Sequence, residues 1–574
     1  MDSRSETLAG EKEVGRSVSP SPPGSLNKER LEANGSFDES PTDKEDGSIR
    51  NSPAPVADGG DDDEGEYPDG VRMAMIVVAL LLSIFLVSLD MTIVATAIPK
   101  ITDEFAGLDL VGWYGSAFFL TVGAFQSTWG KGYKYFPLKT TFLIAIFIFE
   151  LGSLICGVAP NSTALIVGRA IAGVGGAGIA SGAYTIIAFS ARPSKRAAFT
   201  GLMGAAYGIA SVIGPLLGGV FAEKTTWRWC FYINLPIGGV SAAIILFFFT
   251  TPAQAVPVKA SLKEKFLQMD MPGSFVVMGA IICYILALQW GGQTKAWDDS
   301  EVIGTLVGFV LILAVWVGIE WYQGERAMIV PRLLKDRHIW SGMVFIFFLA
   351  GGFFLLLYNL PIYFQVVSGV SASDSGVRNL PLILGCTITT IISGGMISAY
   401  GVAVPWMIGG SAIATIGSGL LYTLDTHSSS SAWIGYQALS GIGIGLCLQV
   451  PIIIGQAVSK PEDLSSVTAM ILFAQTIGGA FFVSAGQVAL SNVLQSSIVK
   501  YAPSTTPAAV LMVGVTEIRD HFAADVVPGI VTSYMKGLQA AYAIAIASAG
   551  IAVIFSLCSK WTNLKGKVQM GGAA

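Results

Sequence analysis

The stretch Gly204-Ala205-Ala206-Tyr207-Gly208-Ile209-Ala210-Ser211-Val212-Ile213-Gly214-Pro215-Leu216-Leu217-Gly218-Gly219 decides the fold. It carries no charge, and it lies inside an apolar run of about 199–221, long enough to cross a bilayer core, which takes roughly 20 residues. Gly at 204, 208, 214, 218 and 219 leaves a flat face on which another helix can approach closely. Pro215 removes one backbone hydrogen bond and kinks the helix there. Gly and Pro at this density are tolerated inside membrane helices.

Working outward, thirteen further runs have the same character. With the first they fall at about 73–97, 110–129, 140–158, 163–187, 199–221, 230–249, 272–290, 303–321, 339–364, 380–400, 404–424, 432–456, 468–490 and 540–559. The composition agrees. Of 574 residues, 52% are hydrophobic and only 13% charged, about half the charge of an average soluble protein. That is too little to coat several soluble domains, so the chain reads as an all-α polytopic membrane protein. Six cysteines sit in or beside the apolar runs without metal-ligand spacing, and three histidines lie outside them. No metal site and no cofactor are expected. No P-loop or Ser-His-Asp set is present, so an enzyme is not expected.

The net charge of −5 is uneven. Residues 1–71 hold 7 basic and 18 acidic residues, and the remainder is net positive. This Ser-, Pro-, Asp- and Glu-rich tail cannot bury enough apolar surface to fold and is expected to be disordered and cytoplasmic. With the tail inside, 18 Lys and Arg fall on the cytoplasmic side and 8 outside, which places both termini in the cytoplasm. The expected organisation is a six-helix bundle at 72–250, an inserted two-helix segment at 251–338, a second six-helix bundle at 339–560 with a long outer loop at 491–539, and a short cytoplasmic tail at 561–574. Two six-helix halves suggest a transporter built from repeats.

Charges inside the runs are expensive unless paired or hydrated, so they are candidate functional groups. Asp90 lies in helix 1, Glu150 in helix 3 and Arg169 in helix 4. On the fourteen-helix topology Asp90 and Arg169 both fall in the outer half, at depths that allow contact. They read either as an ion pair pinning the helices or as a proton-exchanging carboxylate with its counter-charge. Gln126, Asn234, Asn359, Gln365, Gln449 and Gln475 are the polar candidates for a central cavity, or else helix–helix hydrogen bonds.

At these residues the chain resembles a family. Gly208…Gly214-Pro215…Gly218-Gly219 looks like the helix 5 antiporter signature of the major facilitator superfamily, and Leu165…Arg169…Gly173…Gly175-Gly176 resembles its helix 4 signature. Leu89-Asp90-Met91-Thr92-Ile93-Val94 resembles the helix 1 signature of the fourteen-helix drug:proton antiporter branch. The resemblance covers about 72–560 and is nearest to fungal efflux pumps for toxins and secondary metabolites. It implies proton-coupled export of an amphipathic small molecule by alternating access, with Asp90, Arg169 and Glu150 in proton coupling. One departure stands out: the loop after helix 2 reads Gly130-Lys131-Gly132-Tyr133-Lys134, with lysine where the family's gating motif has an acid. The usual latch cannot form as such.

The expected partners are a small-molecule substrate, protons and the lipid bilayer, with no nucleic acid, and the pump is expected to be monomeric. The plasma membrane is the expected location, with the vacuolar membrane as alternative. A siderophore or amino-acid carrier, or a non-transporting membrane sensor, are the competing functions. Asn161-Ser162-Thr163 is a glycosylation sequon so close to the bilayer that poor use is expected.

Overall fold

The structure is a computed structural model that describes residues 67–105 and 111–565. The reading of residues 1–66 and 566–574 as disordered or solvated tail lies outside the described residues. Fourteen long helices follow one another: α1 Gly70–Phe105, α2 Val111–Tyr135, α3 Leu138–Gly157, α4 Ser162–Ser190, α5 Pro193–Lys224, α6 Asn234–Phe248, α7 Met271–Trp290, α8 Ser300–Gln323, α9 Arg337–Ser368, α10 Leu380–Tyr400, α11 Val404–Tyr422, α12 Ser430–Cys447, α13 Leu464–Tyr501 and α14 Val527–Leu557. α12 continues after a short break as Val450–Val458, and a turn of helix at Trp229–Tyr232 precedes α6. No strand occurs among the described residues, only two isolated bridges. Helix is what a lipid environment demands, because every backbone N–H and C=O finds its partner within the segment.

Among the described residues, thirteen helices are long and apolar enough to cross a membrane by length and composition. α2 falls short of that composition because Trp113, Tyr114, Ser116, Thr121, Gln126, Ser127 and Thr128 dilute its apolar residues. It still packs lengthwise against α4 and α13. Tyr114, Phe118, Thr121 and Gln126 all point into protein, so α2 has little need of a lipid-compatible surface.

α1–α6 pack among themselves, as do α9–α14. The two groups meet along α5 against α10 and along α2 and α4 against α13. α7 docks on the seam between α2 and α13, while α8 packs mainly on α7 and turns Val307, Val310, Leu311 and Val315 outward. Small residues permit these approaches. A Cβ on Gly152 of α3 would lie 2.2 Å from the Ala172 nitrogen of α4.

One local feature differs from the sequence expectation. The link expected at 491–539 is shorter: only 502–526 lies outside α13 and α14. Asn492, Gln495 and Ser496 end the apolar run without ending the helix. Leu494 and Ile498 stay buried on one face, and Gln495 Nε2 donates to the Gly292 carbonyl, 2.8 Å. The remaining link folds back on the end of α9, where Arg519 donates to the Val366 and Val367 carbonyls. The turn between α10 and α11 is made by Gly401 at φ +75°, a left-handed conformation that closes α10 without a side-chain penalty.

Candidate functional site

Asp90 of α1 and Arg169 of α4 are both fully buried and form an ion pair through Asp90 Oδ2 and Arg169 Nη1. Removing two charges from water is costly, and the pair holds only because its other valences are met. Asn234 Nδ2, at the start of α6, donates to Asp90 Oδ1 at 3.1 Å and is equally close to Ser153 Oγ of α3. Arg169 Nε donates to the Tyr114 carbonyl at 2.9 Å. The guanidinium lies 4.5 Å from the Phe118 ring centroid, a cation–π contact strengthened by the absence of water. Arg169 and Asn234 thus tie Asp90 of α1 to α4 and α6 directly, and through them to Ser153 of α3 and the Tyr114 carbonyl of α2.

Glu150 lies one turn before Ser153 on α3, and its carboxylate packs against Gly238, one turn after Asn234 on α6. A Cβ at Gly238 would overlap Glu150 Oε1. Both Glu150 oxygens are buried without a hydrogen-bond partner. Asp90, Asn234, Ser153 and Glu150 therefore form one polar column between α1, α3 and α6.

The six polar cavity candidates separate. Gln126, Gln449 and Gln475 line a cavity between the bundles, together with Tyr184, Tyr207 and Phe354. Asn234 belongs instead to the Asp90 site. Asn359 donates to the Leu355 carbonyl within α9, and Gln365 donates to Ser375 Oγ at 2.9 Å; neither is among the cavity-lining residues. The cavity measures about 60 Å³, room for a few waters and far less than the roughly 300 Å³ or more of a drug-sized site. Met91, next to Asp90, lines it. Tyr184 and Tyr207 were not singled out from sequence, since a tyrosine in an apolar run gives no signal of which way it faces.

The glycines of α5 form two faces rather than one. Gly214 and Gly218 lie against α1, where added Cβ atoms would be 2.0 Å from Thr92 Oγ1 and 2.3 Å from the Ile93 carbonyl oxygen. Gly201, Gly204 and Gly208 face α10 and Gln449 of the other bundle. At about 100° per residue, the six-residue step from 208 to 214 turns roughly 240° and moves the stripe to another side. A Cβ on Gly219 would lie 3.3 Å from Ser373 Oγ, and Pro215 directly follows Gly214 inside the helix.

The face that carries the start of α1 and the end of α14 is closed. Lys134 Nζ, in the last turn of α2, pairs with Asp463 at 2.8 Å. Asp463 stands at the head of α13, nearly inaccessible, and also takes Arg332 at 3.0 Å; Arg332 in turn pairs with Glu325 at 2.7 Å. Burial alone would push the Asp463 carboxyl up, but Lys134 and Arg332 outweigh it and hold it below the ordinary carboxylate value. Ala198 N donates to Ser398 Oγ and Gln456 Nε2 to the Tyr184 carbonyl on the same side. Lysine at position 134 therefore has a protein partner in the other bundle: the acid-based latch does not form as such, and a Lys134–Asp463 pair closes this seam instead. Sequence reading missed Asp463 and Arg332 because loop charges are ordinary.

Two helical bundles around a central cavity, with one seam latched, define a multi-pass membrane transporter. The model for the Major Facilitator Superfamily matches residues 80–483, and the chain belongs to that family. It is 52% identical over 558 residues to the "MFS-type transporter grgE" of a Penicillium species, covering 95% of this chain and 98% of that one. It is 52% identical over 502 residues to the "Probable efflux pump gsfJ" of Penicillium aethiopicum, covering 87% and 89%. Among solved structures, the proton:xylose symporter XylE superposes with a TM-score of 0.58 at 13% identity, covering 87% of this chain and 98% of the other; that likeness concerns the fold. Transporters of this family move small molecules, usually as monomers, and are not enzymes.

Proposed function

We propose that this protein exports amphipathic small molecules from the cytoplasm across the plasma membrane, driven by protons moving inward. The observation that carries the reading is the buried Asp90–Arg169 pair, closed by Asn234 and adjoining, through Met91, a cavity with no charged lining residue. The printed names of close relatives, an MFS-type transporter and a probable efflux pump, support the direction.

A proton delivered to Asp90 removes the charge that holds Arg169. The guanidinium then keeps its Tyr114 and Phe118 contacts but loses its ionic partner, which loosens α4 from α1. Asn234 can turn its amide between Asp90 and Ser153, and Glu150 at the other end of the column is a second resting place for the proton. The cytoplasmic latch releases in one half of the cycle and re-forms in the other, so the cavity opens to one side at a time.

The test is transport into everted vesicles with and without an imposed pH gradient, at matched protein levels, using compounds selected from a toxin panel in a pump-deficient yeast. Asp90→Asn should abolish gradient-driven transport while substrate exchange down its own gradient survives, because Asn resembles the protonated acid in shape and charge. Full gradient-driven transport by Asp90→Asn would remove Asp90 from the coupling step and leave Glu150 to be tested in the same way.

A further inference from the structure

A second cavity, of about 90 Å³, adjoins the central one. The two share Phe119, Phe354 and Gly479 in their walls. Its far wall is Ile281 and Ile285 of α7, the helix added to the two six-helix bundles. Both isoleucines are buried, so they face protein and cavity rather than lipid. Ser116, Tyr358 and Ser484 are the hydroxyl-bearing lining residues, and the rest of the wall is apolar.

Neither cavity has a charged lining residue. The central one holds amide oxygens with nothing to accept: Gln449 Oε1 and Gln475 Oε1 are buried without a hydrogen-bond partner, and Gln449 is only 3% exposed. An unpartnered buried carbonyl costs free energy that a donor from a ligand recovers. A charged ligand, by contrast, would leave water for a site that offers no counter-charge.

We propose that the two cavities, small while the seam is latched, are parts of one elongated substrate site that widens as the bundles part, and that the substrate is an uncharged aromatic molecule bearing hydroxyl donors. The hydroxyls donate to Gln449 and Gln475, and the ring system lies against Ile281 and Ile285. α7 is then a specificity-determining wall of the site. This inference rests on the export reading for its physiological meaning, but binding alone can test it.

The probes are 2,6-dihydroxynaphthalene, 2,6-dimethoxynaphthalene and naphthalene-2,6-disulfonate. Binding to the full chain in phosphatidylcholine nanodiscs is measured by equilibrium dialysis, with empty nanodiscs correcting for lipid partition. The dihydroxy probe should bind at least about tenfold more tightly than the dimethoxy probe, the worth of one good hydrogen bond in a dry site, and the disulfonate should not bind. Gln449→Leu removes one of the two acceptors and should erase about half of that preference, on a logarithmic scale, while sparing dimethoxy binding. Ile285→Trp, which fills the second cavity, should weaken both uncharged probes by about tenfold or more. Ile285→Leu conserves volume and should bind as the wild type does. If Gln449→Leu fails to fold, Gln475→Leu carries the same expectation. Equal binding of the dihydroxy and dimethoxy probes, preference for the disulfonate, or unchanged binding by folded Ile285→Trp would overturn the inference. Each of those results leaves export standing if the wild type still shows gradient-driven transport; absence of gradient-driven transport with the expected binding pattern would sink the export reading alone.

Discussion

The two glycine stripes of α5 make opposite demands, and single alanines separate them. Gly201→Ala would place a Cβ 2.7 Å from the Thr390 carbonyl oxygen and 3.3 Å from Gly394 Cα, both backbone atoms of α10. An ordinary C···O contact is about 3.3 Å or longer, so α5 and α10 must part by roughly 0.6 Å. Overpacking of this kind costs about 1–3 kcal/mol. α5 and α10 belong to different bundles, so the cost falls on the arrangement in which this seam is shut. The closed population should fall relative to the open one by about 5- to 150-fold. Gly218→Ala places its Cβ 2.3 Å from the Ile93 carbonyl oxygen of α1, a similar or larger clash, but inside one bundle. That cost is carried in both arrangements and should appear as a lower unfolding temperature with no shift in population. The assay is electron–electron spin-label distance measurement between cysteines introduced at Ser194 and Tyr400, in a background with Cys283 and Cys558 replaced by serine, alongside thermal unfolding. If Gly201→Ala leaves the short-distance population intact and only lowers the unfolding temperature, as Gly218→Ala does, the division into a gating stripe and a packing stripe is wrong.

Three further outcomes are expected. Arg169→Met strands a buried carboxylate and should destabilise the protein by about 3–5 kcal/mol, read as lost thermal stability and surface expression; Arg169→Lys keeps the charge but not the planar fork that reaches both Asp90 and the Tyr114 carbonyl, so it should fold and transport poorly. Because Lys134 and Arg332 hold the Asp463 carboxyl below its ordinary value, its contribution to latch closure is fully present above about pH 4, the ordinary aspartate range, and is lost only as pH falls further; the same spin-label distances should be constant from pH 5.5 to 8 in the wild type, and Asp463→Asn should show the open population at every pH. The Asn161 side chain accepts a hydrogen bond from Ala164 N as the cap of α4, so the sequon should stay unmodified, with no mobility shift on treatment with an endoglycosidase.

The sequence by itself carried the fold's class and the buried charges that lie inside its apolar runs, Asp90 and Arg169, but not those at helix ends such as Lys131, Asp270 and Asp463. Both follow from solvation: a charge inside an apolar run is so costly that its presence is a statement about function or pairing, and a run of about 20 apolar residues needs no context to be read as a span. The positions of the long helices, thirteen of which are long and apolar enough to span, and the Asp90–Arg169 depth match were legible on that basis. What sequence could not convey was direction. A glutamine in a membrane helix looks the same whether it faces a cavity, a neighbouring carbonyl or a carboxylate. Only the packed structure sent Gln126, Gln449 and Gln475 to the cavity, Asn234 to Asp90, and Asn359 and Gln365 to local bonds. The single glycine face of α5 became two because helix phase matters only once there are partners on both sides. The lysine at 134 looked like a missing latch because its partner, Asp463, lies 329 residues away, and neither position announces the other. Solvation is written residue by residue and can be read from the chain; pairing depends on which surfaces meet, and that was decided by tertiary packing.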